Sequence, residues 1–155
     1  MFEFLKKESN EIVAPISGTC IKIEETPDKV FSSKMMGDGF AIIPSSDLVC
    51  APIDGTIEMI ASTKHAFGIK NKKDIEILVH IGLDTVDLEG KGFEVLVSTG
   101  TKVKRGTPII KFDSSFMKEN NKDMTTMVIF TSDYDKPICL EANGKEINKG
   151  DVLIP

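Results

Sequence analysis

From residue 75 to residue 93 the chain reads I-E-I-L-V-H-I-G-L-D-T-V-D-L-E-G-K-G-F. Ile75, Ile77, Val79 and Ile81 alternate with Glu76, Leu78 and His80, the two-residue period of a strand with one buried face. His80 falls on the other face, beside Leu78 and Glu76. Gly82 ends the regular run two residues later, so the imidazole is expected at the mouth of a turn. Two echoes frame this strand. Ala14-Pro15-Ile16-Ser17-Gly18-Thr19 precedes the alternating Cys20-Ile21-Lys22-Ile23, and Ala51-Pro52-Ile53-Asp54-Gly55-Thr56 precedes Ile57-Glu58-Met59-Ile60, an offset of 37 residues. The pattern G-x-x-(V/I)-x-x-G-x-x-(I/L)-I occurs at residues 100–110 and again at 144–154, an offset of 44. Neither echo reaches a third copy, so the chain is not a solenoid array. Each A-P-I-x-G-T unit reads as a proline at a sheet edge and a glycine turn into a strand, and each second-echo unit as a short strand between glycine turns.

The intervening segments fit the same picture. Gly37-Asp38-Gly39 before Phe40-Ala41-Ile42-Ile43 predicts a turn feeding a strand, residues 26–31 a short helical turn, and residues 70–74 a solvated loop. Residues 113–124 are the one plausible helix, capped by Asp113 or Ser114 and interrupted at Asn120-Asn121. Strands are expected again at 127–131 and 137–140. Roughly ten short strands with glycine-rich turns predict an all-β protein, an antiparallel β-sandwich or barrel-sandwich hybrid with an internal pseudo-repeat and one or two short helices.

Composition narrows the classes. The 155 residues are expected to form a single domain, with residues 1–11 as a short N-terminal lead, and the 41% hydrophobic content suffices for one core. The apolar runs are far shorter than the ~20 residues of a membrane span, and residues 1–8 lack a signal-peptide core, so a cytoplasmic location is expected. Cys20, Cys50 and Cys139 are widely spaced with no C-x-x-C pair, and are expected as buried free thiols. A net charge of −5 and the absence of a basic cluster with interleaved aromatics argue against a nucleic-acid partner. Arg105 is the only arginine, and no glycine-rich nucleotide loop is present, so phosphate handled here does not come as a bound nucleotide.

His80 and His65 are the only histidines. One of them on the open face of the most apolar strand is a candidate for proton, metal or phosphoryl chemistry. An imidazole nitrogen attacks phosphorus only when neutral, and a carboxylate at bonding distance would favour the cation. A backbone carbonyl in the turn at Gly82 is the better orienting partner, since it fixes the tautomer and leaves Nε2 free. The transferring group carries spread charge and needs donors and a dry surround. His65 can donate an N–H, and Thr63, two residues before it on the same strand face, can bond its other nitrogen. Leu78, Val86, Phe67 and Phe31 are candidates for an apolar collar that also docks partners. Each has a plainer reading: Thr63 as strand filler, Phe31, Phe67 and Val86 as core, Asp28 as a helix cap, Asp84 as a turn former.

The segments T-K-H-A-F-G-I at 63–69, V-H-I-G-L-D-T-V-D-L-E-G-K-G-F at 79–93 and P-D-K-V-F-S-S-K-M-M-G-D-G-F-A-I at 27–42, with the paired A-P-I-x-G-T units, resemble the glucose-type enzyme IIA of the bacterial phosphoenolpyruvate-dependent sugar phosphotransferase system. The match runs from about residue 12 to the C-terminus. The resemblance implies a phosphocarrier that accepts a phosphoryl group from phospho-HPr on a histidine and passes it to a cysteine of a sugar-specific IIB domain. It makes His80 the acceptor and His65 the helper, and puts Asp28 and Asp84 at a rim that meets a basic residue of HPr. In some branches of the family the unphosphorylated form also binds metabolic enzymes or permeases, and the short lead before the match argues against a long amphipathic anchor here. No cofactor is implied.

Two other classes are testable against the same residues. Two histidines on adjacent strands could share Zn²⁺ with a partner, but no third His or Cys stands at motif spacing, so no metal is expected in the chain alone. The glycine echoes also resemble biotinyl or lipoyl carrier domains, yet no lysine sits at the required hairpin tip, Ser33-Lys34-Met35 being the nearest approach.

Overall fold

The computed structural model describes residues 8–132, 134, 138 and 140–155. Among them run β1 (Ile12–Val13), β2 (Gly18–Lys22), β3 (Gly39–Pro44), β4 (Leu48–Cys50), β5 (Gly55–Ile60), β6 (Ala66–Lys70) and β7 (Glu76–Ile81). There follow β8 (Phe93–Val95), β9 (Lys102–Val103), β10 (Pro108–Phe112), β11 (Thr126–Phe130), β12 (Glu146–Ile147) and β13 (Val152–Ile154). Two short helices, α1 (Lys29–Ser32) and α2 (Ser114–Glu119), complete the set with 3₁₀ turns at Ile23–Glu25 and Thr85–Leu88. All strand pairs are antiparallel. The eight-stranded sheet has the order β12-β2-β3-β11-β7-β6-β5-β9, and smaller sheets pair β4-β10-β8 and β1-β13. The fold is an all-β sandwich.

The alternation read in residues 75–81 is observed from Glu76 on, while Ile75 lies just before the strand and is only partly buried against the core. Ile77, Val79 and Ile81 of β7 are buried in the main core with Phe40 and Ile42 of β3, Val128 and Phe130 of β11 and Phe67 and Ile69 of β6. Val49, Ile109, Ile110 and Phe112 meet them from β4 and β10. Even-numbered residues of β7 point the other way, onto a second and smaller apolar cluster of Ile21, Ile23, Phe31, Ala41, Met127 and Ile129, with Leu78 and Leu83 packed against it. Burial of a large aliphatic side chain contributes about 1.5–3 kcal/mol, so the larger inner cluster carries the fold. The outer cluster covers one face only in part.

The two sequence echoes prove to be one structural repeat. Ile12 pairs with Ile154 and Val13 with Val152; Val49 pairs with Ile110 and Cys50 with Pro108. These registers coincide when the first partner is shifted by 37 residues and the second by 44. The same holds for Gly18 with Ile147 against Gly55 with Val103. Loop bonds follow suit: Ala14 N donates to Asp151 O and Gly150 N to Ala14 O, while Ala51 N donates to Thr107 O and Gly106 N to Ala51 O. Strands β3 and β7, also 37 residues apart end for end, flank β11 on its two sides. The match breaks at β6, which lies between β5 and β7, whereas β2 pairs directly with β3.

Several local expectations change. The helix predicted over 113–124 is only Ser114–Glu119, capped when the Asp113 side chain accepts from Phe116 N. It stops at the paired asparagines because Asn121 turns left-handed, with φ 56°. The loop at 70–74 is less solvated than expected. Lys70 belongs to β6, and Asn71 is buried, its Oδ1 accepting from Lys73 N and Ile75 N and its Nδ2 donating to Asn10. Cys20 and Cys50 are buried free thiols, Cys20 pushed by burial up to about 11; Cys139 lies outside the described residues. Of the strand expected at 137–140, Ile138 and Leu140 are described and are not in a strand, and the other two positions lie outside the described residues.

Gly18 and Gly55 occupy equivalent places in the repeat, and a Cβ on either would meet backbone: Ile43 O at 2.1 Å for Gly18 and Lys70 O at 2.5 Å for Gly55. A backbone oxygen held in a ladder cannot move aside as a flexible side chain can. Gly18→Ala and Gly55→Ala are each expected to destabilise the protein by about 1–3 kcal/mol, read as lower urea midpoints at unchanged m-value. Unchanged midpoints would show that the close approaches are not constraints.

Candidate active site

The sheet register assembles the site. Ala66 pairs with His80, His80 with Met127, Met127 with Ala41 and Ala41 with Ile21, so one row crosses five strands on the outer face. Only His80 in that row carries a titratable group. Phe31 at the first helical turn packs its ring against the imidazole, centroids 4.9 Å apart and planes tilted by 54°. On the other side His65 presents its ring edge-on at 4.8 Å and 78°.

Each imidazole has one nitrogen accounted for. Nδ1 of His80 lies 2.9 Å from the Gly82 carbonyl oxygen. A carbonyl can only accept, so Nδ1 carries the proton and Nε2 of the neutral ring keeps its lone pair. Gly82 can present that carbonyl because it adopts φ +81° in a space where a Cβ would meet Thr85 Cγ2 at 2.5 Å. For His65 the partner is the Thr63 hydroxyl, 2.7 Å from Nδ1. Thr63 and His65 do not lie on one strand face, as the sequence suggested. Both sit in the turn between β5 and β6, where Lys64 between them is left-handed at φ 61°. The turn is fixed to β7 by a bond from Ile81 N to the His65 carbonyl, 2.7 Å, which brings the two rings together.

Burial disfavours the cationic form of both rings. Burial, followed by the neighbouring His65, pushes His80 down to about 4, against the weaker upward pull of the Gly82 carbonyl, Asp28 and Asp84. Burial also lowers His65, and a hydrogen bond to the Thr63 backbone acts in the opposite sense. Both carboxylates act on His80 through space and are otherwise engaged or free. Asp28 caps α1, its side chain accepting from Val30 N at 2.8 Å, as the plainer reading of that residue had it. Asp84 opens the Thr85–Leu88 turn from a left-handed backbone, φ 56°, with no capping bond from its side chain.

Of the residues expected in the collar, Leu78 and Val86 reach the surface near the site, while Phe31 is buried against the imidazole. Phe31 is 6% exposed and bounds the imidazole, Leu78 shares the outer face, and Val86 is 49% exposed on the following turn. Phe67 does not belong with them. It pairs with Val79, is fully buried and faces the main core. Strand parity decides this: Ala66, one residue earlier, is the one that shares the face of His80. Met127, Ile129, Ala41, Ile21, Ile23 and Leu83 complete the outer cluster and carry no signal of it in the sequence, because a residue's neighbour across a sheet is set by register and not by sequence distance. Among the described residues no group of three or more His, Cys, Asp or Glu could hold a metal, and no helix is long and apolar enough to cross a membrane.

Fold and site together define a β-sandwich carrying two imidazoles, edge to face, in an apolar surround that disfavours their cationic forms, with Asp28 and Asp84 acting on His80 through space. Residues 10–135 match the family model for the phosphoenolpyruvate-dependent sugar phosphotransferase system, EIIA 1, and the chain belongs to that family. It is 48% identical over 132 residues to the glucose-specific EIIA component of Staphylococcus epidermidis, covering 84% of this chain and 80% of that protein. It is 45% identical over 143 residues to the glucoside-specific EIICBA component of Staphylococcus carnosus, 92% of this chain but 20% of that longer protein. The solved structure of glucose permease IIA from Mycoplasma capricolum superposes with a TM-score of 0.85 at 39% identity over 97% of each chain. The family function is to take a phosphoryl group from HPr and pass it to a IIB domain, so the chain is a phosphoryl-transferring component of a sugar transport system.

The depressed His80 value has a sign that can be tested. Unfolded, the ring titrates near 6.5; folded, near 4. Between those values the unfolded chain binds the extra proton, so stability falls as pH drops from about 6.5 towards 4, by about 3 kcal/mol at the lower end. Urea unfolding at pH 7, 5.5 and 4.5 is expected to show a steeper loss for wild type than for His80→Gln. Parallel losses in the two proteins would contradict the assignment.

Proposed function

We propose that His80 is the phosphoryl acceptor of this carrier. The observation that carries the reading is the bond from Nδ1–H of His80 to the Gly82 carbonyl. It leaves the Nε2 lone pair as the ring's only nucleophile, in a ring that stays neutral at cytoplasmic pH. Nε2 attacks the phosphorus of phospho-HPr, the bond to the donor atom breaks on the opposite side, and the new P–N bond holds the group until a IIB cysteine thiolate attacks in turn. In the tautomer in which the Thr63 hydroxyl, 2.7 Å from Nδ1, donates to that nitrogen, His65 carries its proton on Nε2 and offers it to the phosphoryl oxygens. Thr63 is thus the residue that orients the helper.

Asp28 and Asp84 repel a phosphate alone and suit a donor protein that brings its own cation. Their effect is then mainly on association rate and its salt dependence. Phe31, Leu78 and Val86 form the apolar part of the docking surface, used in succession by HPr and by the IIB domain of a glucose-type permease. Nothing in this scheme needs a cofactor. The transfer is assigned to the cytoplasmic side, and any zinc at His65 and His80 would need a ligand from a partner.

Incubation with phosphoenolpyruvate, enzyme I and HPr is expected to give an acid-labile, base-stable phosphate on the wild-type protein and none on His80→Ala. His65→Ala is expected to accept phosphate but to pass it to IIB about 100-fold more slowly, as for removal of one preorganised donor. Labelling that persists at full level without His80, or a wild type that stays unlabelled beside active HPr, would sink the proposal.

A further inference from the structure

The segment after α2 grips the loop that follows His80. Gly82 N donates to Thr125 O at 3.1 Å and Leu83 N to Asp123 O at 2.8 Å, which holds the loop by its amides. Its carbonyl side is held by a side chain: Lys122 Nζ donates to the Asp84 carbonyl at 3.0 Å and lies 3.8 Å from the Asp87 carboxylate. The lysine is unusually sequestered for its type, with its side chain 16% exposed against 70% for Asp87. Its root is also fixed, because Lys122 N bonds the Met117 carbonyl at the end of α2 and the left-handed Asn121 steers the chain out of the helix.

That grip falls on a strained turn. Asp84 is left-handed and makes no side-chain cap; its carbonyl accepts a long bond from Asp87 N, 3.3 Å, besides the shorter one from Lys122, so the ammonium is the closer of the two donors that fix it. The turn moves as a block: Thr85 Oγ1 donates to the Ile81 carbonyl at 2.6 Å, and Thr85 Cγ2 and Met124 Sδ fill the space beside Gly82. A shift at Asp84 is therefore passed to Gly82, whose carbonyl selects the tautomer of His80.

We propose that Lys122 is a positioning residue for phosphoryl transfer, pinning the Asp84 turn so that the Gly82 carbonyl stays on Nδ1 of His80 while the Asp84 carboxylate stays free for the donor protein. The inference rests on His80 being the acceptor. Without the ammonium the carbonyl wanders, both neutral tautomers populate, and the fraction with a free Nε2 falls.

The test compares the full chain with Lys122→Met, which keeps length and loses charge, and Lys122→Arg, which keeps donors. Steady-state transfer from phospho-HPr and ¹⁵N shifts of the His80 ring are measured on each. Lys122→Met is expected to lower the rate at saturating phospho-HPr about tenfold with KM within twofold, and to move the two ring nitrogens towards averaged tautomer values. Lys122→Arg is expected to restore most of both. An unchanged rate and spectrum in Lys122→Met, or a raised KM with an unaltered ring, overturns the proposal. Phosphorylated wild type supplies the separate check. If its His80 nitrogens do not shift while the protein is labelled, the acceptor assignment fails and this inference with it; if they shift and Lys122→Met behaves as wild type, only the role of Lys122 falls.

Discussion

A regular strand in a sheet has two faces, and the pleat allots successive residues to them alternately. In β7 this one constraint puts Ile77, Val79 and Ile81 into the core and leaves Leu78 and His80 outside. Antiparallel pairing then carries the division across the sheet, so that Ala66, Met127, Ala41 and Ile21 lie in one row with His80. The outer face becomes a half-covered apolar ground with one imidazole in it. A ring in such a place is buried enough to disfavour the cation and is still partly exposed.

Neutrality alone does not make a nucleophile, since a neutral imidazole has two tautomers. The backbone resolves the choice at His80 through the Gly82 carbonyl, and a side-chain hydroxyl stands at the corresponding nitrogen of His65. Both partners are uncharged, so neither ring gains the strong pull towards the cation that a bonded carboxylate would give. Asp28 and Asp84 act from a distance, and the net effect of burial and of the second ring outweighs them. Positive-φ residues at Lys64 and Gly82 set the two turns that deliver these partners.

The internal repeat explains why the site occurs once. Its two copies share registers down to individual residue pairs, yet the position 37 residues before His80 is Ile43, a half-exposed aliphatic. The second copy alone has the extra strand β6 between its outer strand and β7, and the turn into β6 carries His65. Duplication thus provides the scaffold, and the inserted strand provides the second imidazole. The core around the repeat is shared by both halves, which leaves the outer face free to differ.

Much of this is legible along the chain. The period of residues 75–81, the two echoes and the glycine after His80 determine a strand, its buried face, a paired architecture and a turn that can offer a carbonyl, because these depend on neighbours within a few residues. The resemblance around 63–69 and 79–93 named both histidines. What the chain could not decide was which side chains meet across strands. Phe67 follows Ala66 in sequence but faces the core; Met127 lies 47 positions from His80 and stands beside it. Thr63 reaches His65 through a left-handed turn and not along a strand. Asp28 could be read as a cap or as a rim charge, and the folded chain shows the cap, with the carboxylate acting on His80 through space. Local periodicity fixes where a residue points, whereas register and turn handedness, set by packing of the whole sheet, fix what it points at.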